Sequence, residues 1–360
     1  MQLSDLRHQL TLSSSLVTAL NSLNVQASGF GGTAITNGVA SFSITGGAVD
    51  LRATRLEVLH SDGLTFRAGG TEVNLTDFTI SNLGAETVLT GVVIVNGNLV
   101  ARAPLFSLTV GSVETGRRPG RSHLRVNDVS VNLTQAAADA LNQAFNVSAF
   151  SADINIGTAQ VAAFFNRGSG NIRERILPIQ PADNSDSLFP GATQDVLPQG
   201  KTSVALSENL VNALDTLNVR ASGFGSTRIN DGVADFLITG GATDLDTTKV
   251  EIAHAGGLTL RAGGTRVSLT DFVITNLGDR TRLTGAVIVN NSLVNRLPLF
   301  NLQIGSLGTS SSEGATNLDI ADVGVRLTRR AANALNQAFG VSAFQAGFEI
   351  GTAQVDAFVA

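Results

Sequence analysis

Few side chains in this sequence could do chemistry, and the histidines come first. There are four of them. His60 and His254 occupy like surroundings, in LEVLHSDGLT and VEIAHAGGLT, and position 60 maps to position 254 by an offset of 194. Alternation at period two puts His60 on the strand face of Leu56 and Val58, and His254 on that of Val250 and Ile252. An imidazole on an apolar face, just ahead of a Gly-Leu turn, could line a pocket and ligate a metal or haem iron. It could instead be a core histidine whose ring nitrogens bond backbone groups. The second role is the expectation, because one histidine per repeat is too few for a metal site of its own. His8 lies near the start, and His123 is expected in a polar loop, with Asn317 at the matching position.

Carboxylates recur in the same way: Asp50, Asp77 and Asp128 return as Asp244, Asp271 and Asp322. Calcium ligation or a glycosidase-like carboxylate pair would use such groups. Two of each set sit where the alternation of apolar residues changes parity, at Thr76-Asp77 and Asn127-Asp128, and that predicts turns or bulges. Arg67 and Arg261, in the shared pattern L-T-x-R-A-G-G-T, could bind a ligand's carboxylate or pair with a recurring aspartate. Zero cysteines exclude disulfides and thiolate chemistry, and lysine occurs only at 201 and 249. No nucleophile elbow, zinc-protease helix or phosphate-binding loop is present. The expectation is a protein with no catalytic residues and no metal site, and not an enzyme.

These residues are positioned by a duplication. Leu20–Val25 matches Leu214–Val219, Gly63–Thr71 matches Gly257–Thr265, and Ala144–Gln160 matches Ala338–Gln354, all at the offset of 194. A period this long is a repeated domain and not a solenoid unit. Asn166–Gly200 carries four of the seven prolines and no sustained periodicity, which predicts a linker over 166–200 between domains at 9–165 and 201–360. Within each copy the pattern predicts seven or eight short strands and two short helices. Ser13 and Thr134 serve as N-caps, and the second helix ends at Asn146 or Gly340. A last strand is expected from Phe150 to about Val161. The fold class expected is mainly β: two homologous antiparallel sandwich- or barrel-like domains, each with two short helices.

The net charge of −5 and the lack of a basic run argue against a nucleic-acid partner. No apolar stretch is long enough to span a bilayer, and Met1–Leu10 lacks the apolar core of a signal peptide, so the expectation is a cytoplasmic protein or a trimmed one.

The order of pieces resembles the HtaA-type domain of bacterial haem-uptake and cell-surface proteins. The resemblance rests on the first helix, Gly38–Phe42 (GVASF), Thr45–Asp50 (TGGAVD), His60 with Gly63-Leu64, the strand at Val73–Ile80, Pro104–Leu108 (PLFSL), Leu133–Ala137 (LTQAA) and the closing Phe-rich segment. It implies a secreted or surface location and, in haem-binding members, a tyrosine ligand supported by a histidine. His60 and His254 fall where that histidine would be. The tyrosine has no counterpart, since the chain has none and the first helix offers only Leu20 and Leu23 there. The leading expectation is therefore a non-enzymatic surface or extracellular binding or structural protein, with a surface partner or a small hydrophobic ligand and with self-assembly open. The alternative is haem binding through one histidine per domain. Candidate ligand-binding residues are His60, His254, Arg67 and Arg261.

Overall fold

A computed structural model describes residues 8–50, 55–83, 86–118, 121–167, 173–176, 193–278, 280–312 and 315–359. The chain divides into two compact units, Met1–Thr193 and Gln194–Ala360. Strand pairs in both units are antiparallel.

In unit 2 the sheet closes on itself. Strands Val233–Asp244, Lys249–Ala255, Thr265–Asn276, Arg282–Val289, Ser292–Gln303, Ala315–Leu327 and Glu349–Val359 neighbour one another in chain order. Strand Thr193–Leu206 lies between the last and the first of them and completes the ring. Closure removes the open edge that an alternating sheet would otherwise present. The short strands Arg220–Phe224 and Gly257–Ala262 extend from the ring as a flap paired to the start of Thr265–Asn276.

Unit 1 builds the same ring with its closing strand divided. The position of the 14-residue strand Thr193–Leu206 is shared by two pieces, His8–Leu12 and Arg173–Ile176. His8–Leu12 pairs with Asn155–Arg167 and Val39–Phe42, and Arg173–Ile176 pairs with Asn155–Arg167 and Ile44–Asp50. Strands thus occupy both ends of the stretch expected as linker, at 173–176 and 193–200. Pro198 falls in the register shift between Val196 and Gly200, where the missing N–H breaks no ladder bond. Residues 177–192, with Pro178, Pro181 and Pro190, lie outside the described residues. His123 belongs to the long strand Arg121–Leu133, opposite Gly116, and not to a loop. The strand expected from Phe150 starts at Asn155 and runs to Arg167, because both main-chain groups of Phe150 bond the side chain of Asn142.

The parity changes in the sequence are bulges. Register shifts lie between Thr76 and Thr79, Val126 and Val129, Thr270 and Val273, and Ile320 and Val323. In each the aspartate takes the left-handed conformation, at φ 49° for Asp77, 53° for Asp128, 51° for Asp271 and 53° for Asp322. Asp tolerates that region better than most residues do, and the extra residue re-aims the strand so that both halves face the core. Arg102 Nη2 donates to Asp77 O at 2.7 Å and Arg296 Nη2 to Asp271 O at 2.7 Å, tying each bulge to a neighbouring strand.

The helices are α1 Ser14–Ser22, α2 Gln135–Phe145, α3 Glu208–Thr216 and α4 Arg329–Phe339. Their N-caps Ser13, Thr134, Ser207 and Thr328 each accept a backbone N–H of the first turn. α2 and α4 end on Asn146 and Gly340 at φ 52° and 67°. Inside each ring is an aliphatic and phenylalanine core, with edge-to-face rings Phe42–Phe78 and Phe236–Phe272 at 5.5 and 5.3 Å. Gly285 leaves room for this packing: a Cβ there would lie 2.7 Å from both Phe272 and Leu299.

Candidate functional site

Both recurring histidines point into the ring, and both are buried, at 3% and 2% exposure for His60 and His254. His60 Nδ1 is 3.1 Å from Phe78 O. A carbonyl can only accept, so Nδ1 carries the proton and Nε2 is the acceptor nitrogen. That Nε2 lies 3.2 Å from His8 Nδ1, which donates to it. His254 repeats the arrangement: Nδ1 donates to Phe272 O at 3.3 Å, and Nε2 accepts from Thr202 Oγ1 at 2.8 Å. Burial lowers the pKa of both rings from 6.5 to about 4, and backbone bonding offsets this only in part. His8 is also held well below its usual value, by burial and then by the neighbouring His60. All three imidazoles are neutral at pH 7.

His8 does not stand out in the sequence, although the offset of 194 maps it onto Thr202. The signal for it is the alternation His8, Leu10, Leu12 against Thr202, Val204, Leu206. In unit 2 the smaller Thr202 and His254 line a narrow apolar cavity of about 40 Å³ with Phe236, Phe272, Leu283 and Val355.

A haem iron needs a nitrogen lone pair facing open volume. As placed, neither His60 nor His254 presents one, since each Nε2 lone pair is engaged and the space beside His254 is far below the ~300 Å³ at which ligand pockets begin. The arrangement does not fit haem ligation by these two histidines.

Arg67 and Arg261 lie apart from the histidines, Arg261 on the flap of unit 2 and Arg67 on the corresponding flap of unit 1, formed by Gln26–Phe30 and Gly63–Ala68. Arg67 pairs with Glu72, Nε to Oε2 at 2.6 Å, and not with a recurring aspartate. The residue opposite Arg261 is Arg266. Both arginines are exposed. Of the aspartates, Asp77, Asp128, Asp271 and Asp322 form the bulges, and Asp244 Oδ1 accepts the N–H groups of Asp246 and Thr247 in a turn. No group of three metal-ligating side chains occurs among the described residues.

One concavity of ligand size in unit 2 was not visible in the sequence. A cleft of about 310 Å³ lies between α4 and the sheet. Its walls are Val267, Leu269, Val287, Leu299 and Leu327 from the strands and Ala331, Ala334, Leu335 and Ala338 from the helix. Gln337 is the one polar residue on its lining, and Val294, 41% exposed, stands on its rim. No short motif encodes it, because its residues come from four strands and a helix brought together only by ring closure. No helix among the described residues is long and apolar enough to cross a membrane.

No protein-family model and no curated protein sequence matches the chain. Among solved structures, the chain is similar to the C-terminal domain of HtaA from Corynebacterium glutamicum, at 15% identity and a TM-score of 0.37, over 46% of this chain and 99% of that one. It is similar also to the heme binding protein HtaB of the same organism, at 8% identity and a TM-score of 0.30, over 47% of this chain and 95% of that one.

Proposed function

We propose that this chain is a non-enzymatic binding protein of the cell surface or extracellular space, and that unit 2 takes a small hydrophobic ligand in the cleft under α4. The carrying observation is the cleft itself: about 310 Å³, apolar except for Gln337 and open past an exposed valine. That volume is at the lower end of pockets that enclose small molecules. An apolar lining supplies affinity through burial and leaves orientation to a single amide, Gln337. The surface location rests on the sequence resemblance, and two tethered copies would give avidity for an extended target.

Nile red, which carries no charge, tests the reading. It is expected to bind the intact chain with enhanced fluorescence. Ala334→Phe, which fills the cleft, should weaken binding at least tenfold, with Val294→Asp at the rim acting in the same direction. Unchanged binding in both variants would remove the cleft from the function.

Haem is the second reading, favoured by the position of His254 on the wall of the inner cavity. It requires His254 to leave Thr202 and the core to open. Haemin titration of the wild type and of a His60→Ala/His254→Ala variant separates the two readings. The expected result is no Soret shift that depends on these histidines. A shift lost in the variant would establish haem ligation in place of the core role.

A further inference from the structure

One row of side chains differs in charge between the two flaps. In unit 1, Gln26, Arg67 and Glu72 are directly opposite one another across three strands. Arg67 and Glu72 form an ion pair there, so the row is close to neutral. In unit 2 the same row reads Arg220, Arg261 and Arg266. Three cations stand side by side, with no carboxylate among them.

Directly opposed residues of an antiparallel pair have Cβ atoms about 4.5–5.5 Å apart, and like charges so placed repel. Arg220 and Arg261 are exposed, and neither pairs with an acidic side chain among the described residues. Arg266 extends the row, with Nη1 donating to Asn291 Oδ1 at 3.2 Å, which fixes its direction. The next row inward, Ser222, Thr259 and Ser268, is polar, and Thr259 and Ser268 share a hydroxyl contact at 3.0 Å.

We propose that this row is an oxyanion-binding site particular to unit 2, taking a phosphate or sulfate ester. Guanidinium is the group suited to it: planar, always charged, and able to give two parallel N–H donors to one tetrahedral anion. Two such planes on adjacent strands can close on a single anion from both sides. The bound anion replaces the repulsion within the row by attraction, a role that Glu72 performs permanently in unit 1. The site is separate from the cleft under α4, because Val267 and Leu269 of that cleft alternate with Arg266 and Ser268 and face the other side of the strand.

Calorimetric titration of the full chain at low salt tests this, with tripolyphosphate as the free phosphate and heparin as the polymer-borne sulfate. Binding of at least one probe is expected, weakening as salt rises. The double variant Arg220→Gln/Arg261→Gln should lose at least tenfold in affinity. Gln is the residue unit 1 carries at the first of these positions, so the flap retains its fold, and unchanged circular dichroism verifies that. Arg266→Glu, which reinstates the unit 1 pairing, should also weaken binding, while Arg67→Gln should leave it unchanged. Tripolyphosphate binding marks a small phosphate ligand, and heparin binding alone marks a sulfated polymer. If neither probe binds, or if the double variant binds as tightly as the wild type, the proposal is overturned. Nile red binding in the same variants reports on the cleft independently.

Discussion

The two units share a fold, and two rows of side chains set their chemistry apart. In unit 1 the core histidine is answered by a second histidine, and the flap arginine by a glutamate. In unit 2 the answers are a threonine and another arginine. The interior pair keeps one requirement constant: Nε2 of the core histidine must receive a proton donor, and either a hydroxyl or an imidazole N–H supplies it. The exterior pair keeps its arginine and reverses the charge of the residue opposite, from Glu72 to Arg266. The difference teaches that the histidine is held by the demands of burial, whereas the flap is free to diverge toward a ligand.

Acid should separate the units most strongly. A histidine neutral and buried in the folded state, at a pKa of about 4, takes up its proton near 6.5 once unfolded. The unfolded state therefore binds more protons between these values. The stabilisation is present in full above pH 6.5 and is lost as pH falls toward 4. At pH 5 the loss is about 2 kcal/mol for His254, and unit 1 bears the same for His60 plus a further loss from His8. Calorimetry at pH 7 and pH 5 should show the transition of unit 1 moving down further than that of unit 2. His8→Thr should bring the two shifts together, and Thr202→His should increase the acid response of unit 2. Equal shifts with no effect of either exchange would break the comparison.

A smaller effect is expected from removing the hydroxyl donor alone. Thr202→Val preserves shape and leaves His254 Nε2 without its proton donor, at a cost of about 1–3 kcal/mol at pH 7 in denaturant unfolding. A cost near zero would mean that the lone pair finds another donor. The smallest effect concerns the flaps. Arg266→Glu should stabilise unit 2 by roughly 0.2–1 kcal/mol by restoring a cross-strand ion pair, and Glu72→Arg should destabilise unit 1 by a like amount. Added salt should shrink both changes.

Much of the fold was legible in the sequence where its determinants are local. The caps at Ser13 and Thr134, the left-handed ends at Asn146 and Gly340, and the bulges at Asp77 and Asp128 each depend on a few adjacent residues, and each shows in residue type or in parity. The pieces that close the rings do not. His8–Leu12 has five residues and Arg173–Ile176 has four, too few for a period, and their partners lie far along the chain. The candidate site divides along the same line. The histidines are found because alternation displays them, and the role they take, bonded at both nitrogens, is the one expected of a core residue. Their partners His8 and Thr202 come from the closing strands, where the only signal is the three-residue alternation His8, Leu10, Leu12 against Thr202, Val204, Leu206. The cleft under α4 and the arginine row depend on which strands become neighbours, and that is decided by closure of the ring and not by any one segment.

The closing strand has a consequence for how the chain reaches its native state. Each ring is sealed by a segment from its own beginning pairing with a segment near its end: Leu10 meets Ala159, and Val204 meets Ala353. Such contacts between distant parts of the chain form late and slowly. Until they do, two nearly equivalent slots and two nearly equivalent closing strands coexist in one polypeptide, a situation in which exchange between copies is a characteristic error. Inside the ring, the closing strands differ at the residue that meets the core histidine, His8 in one and Thr202 in the other.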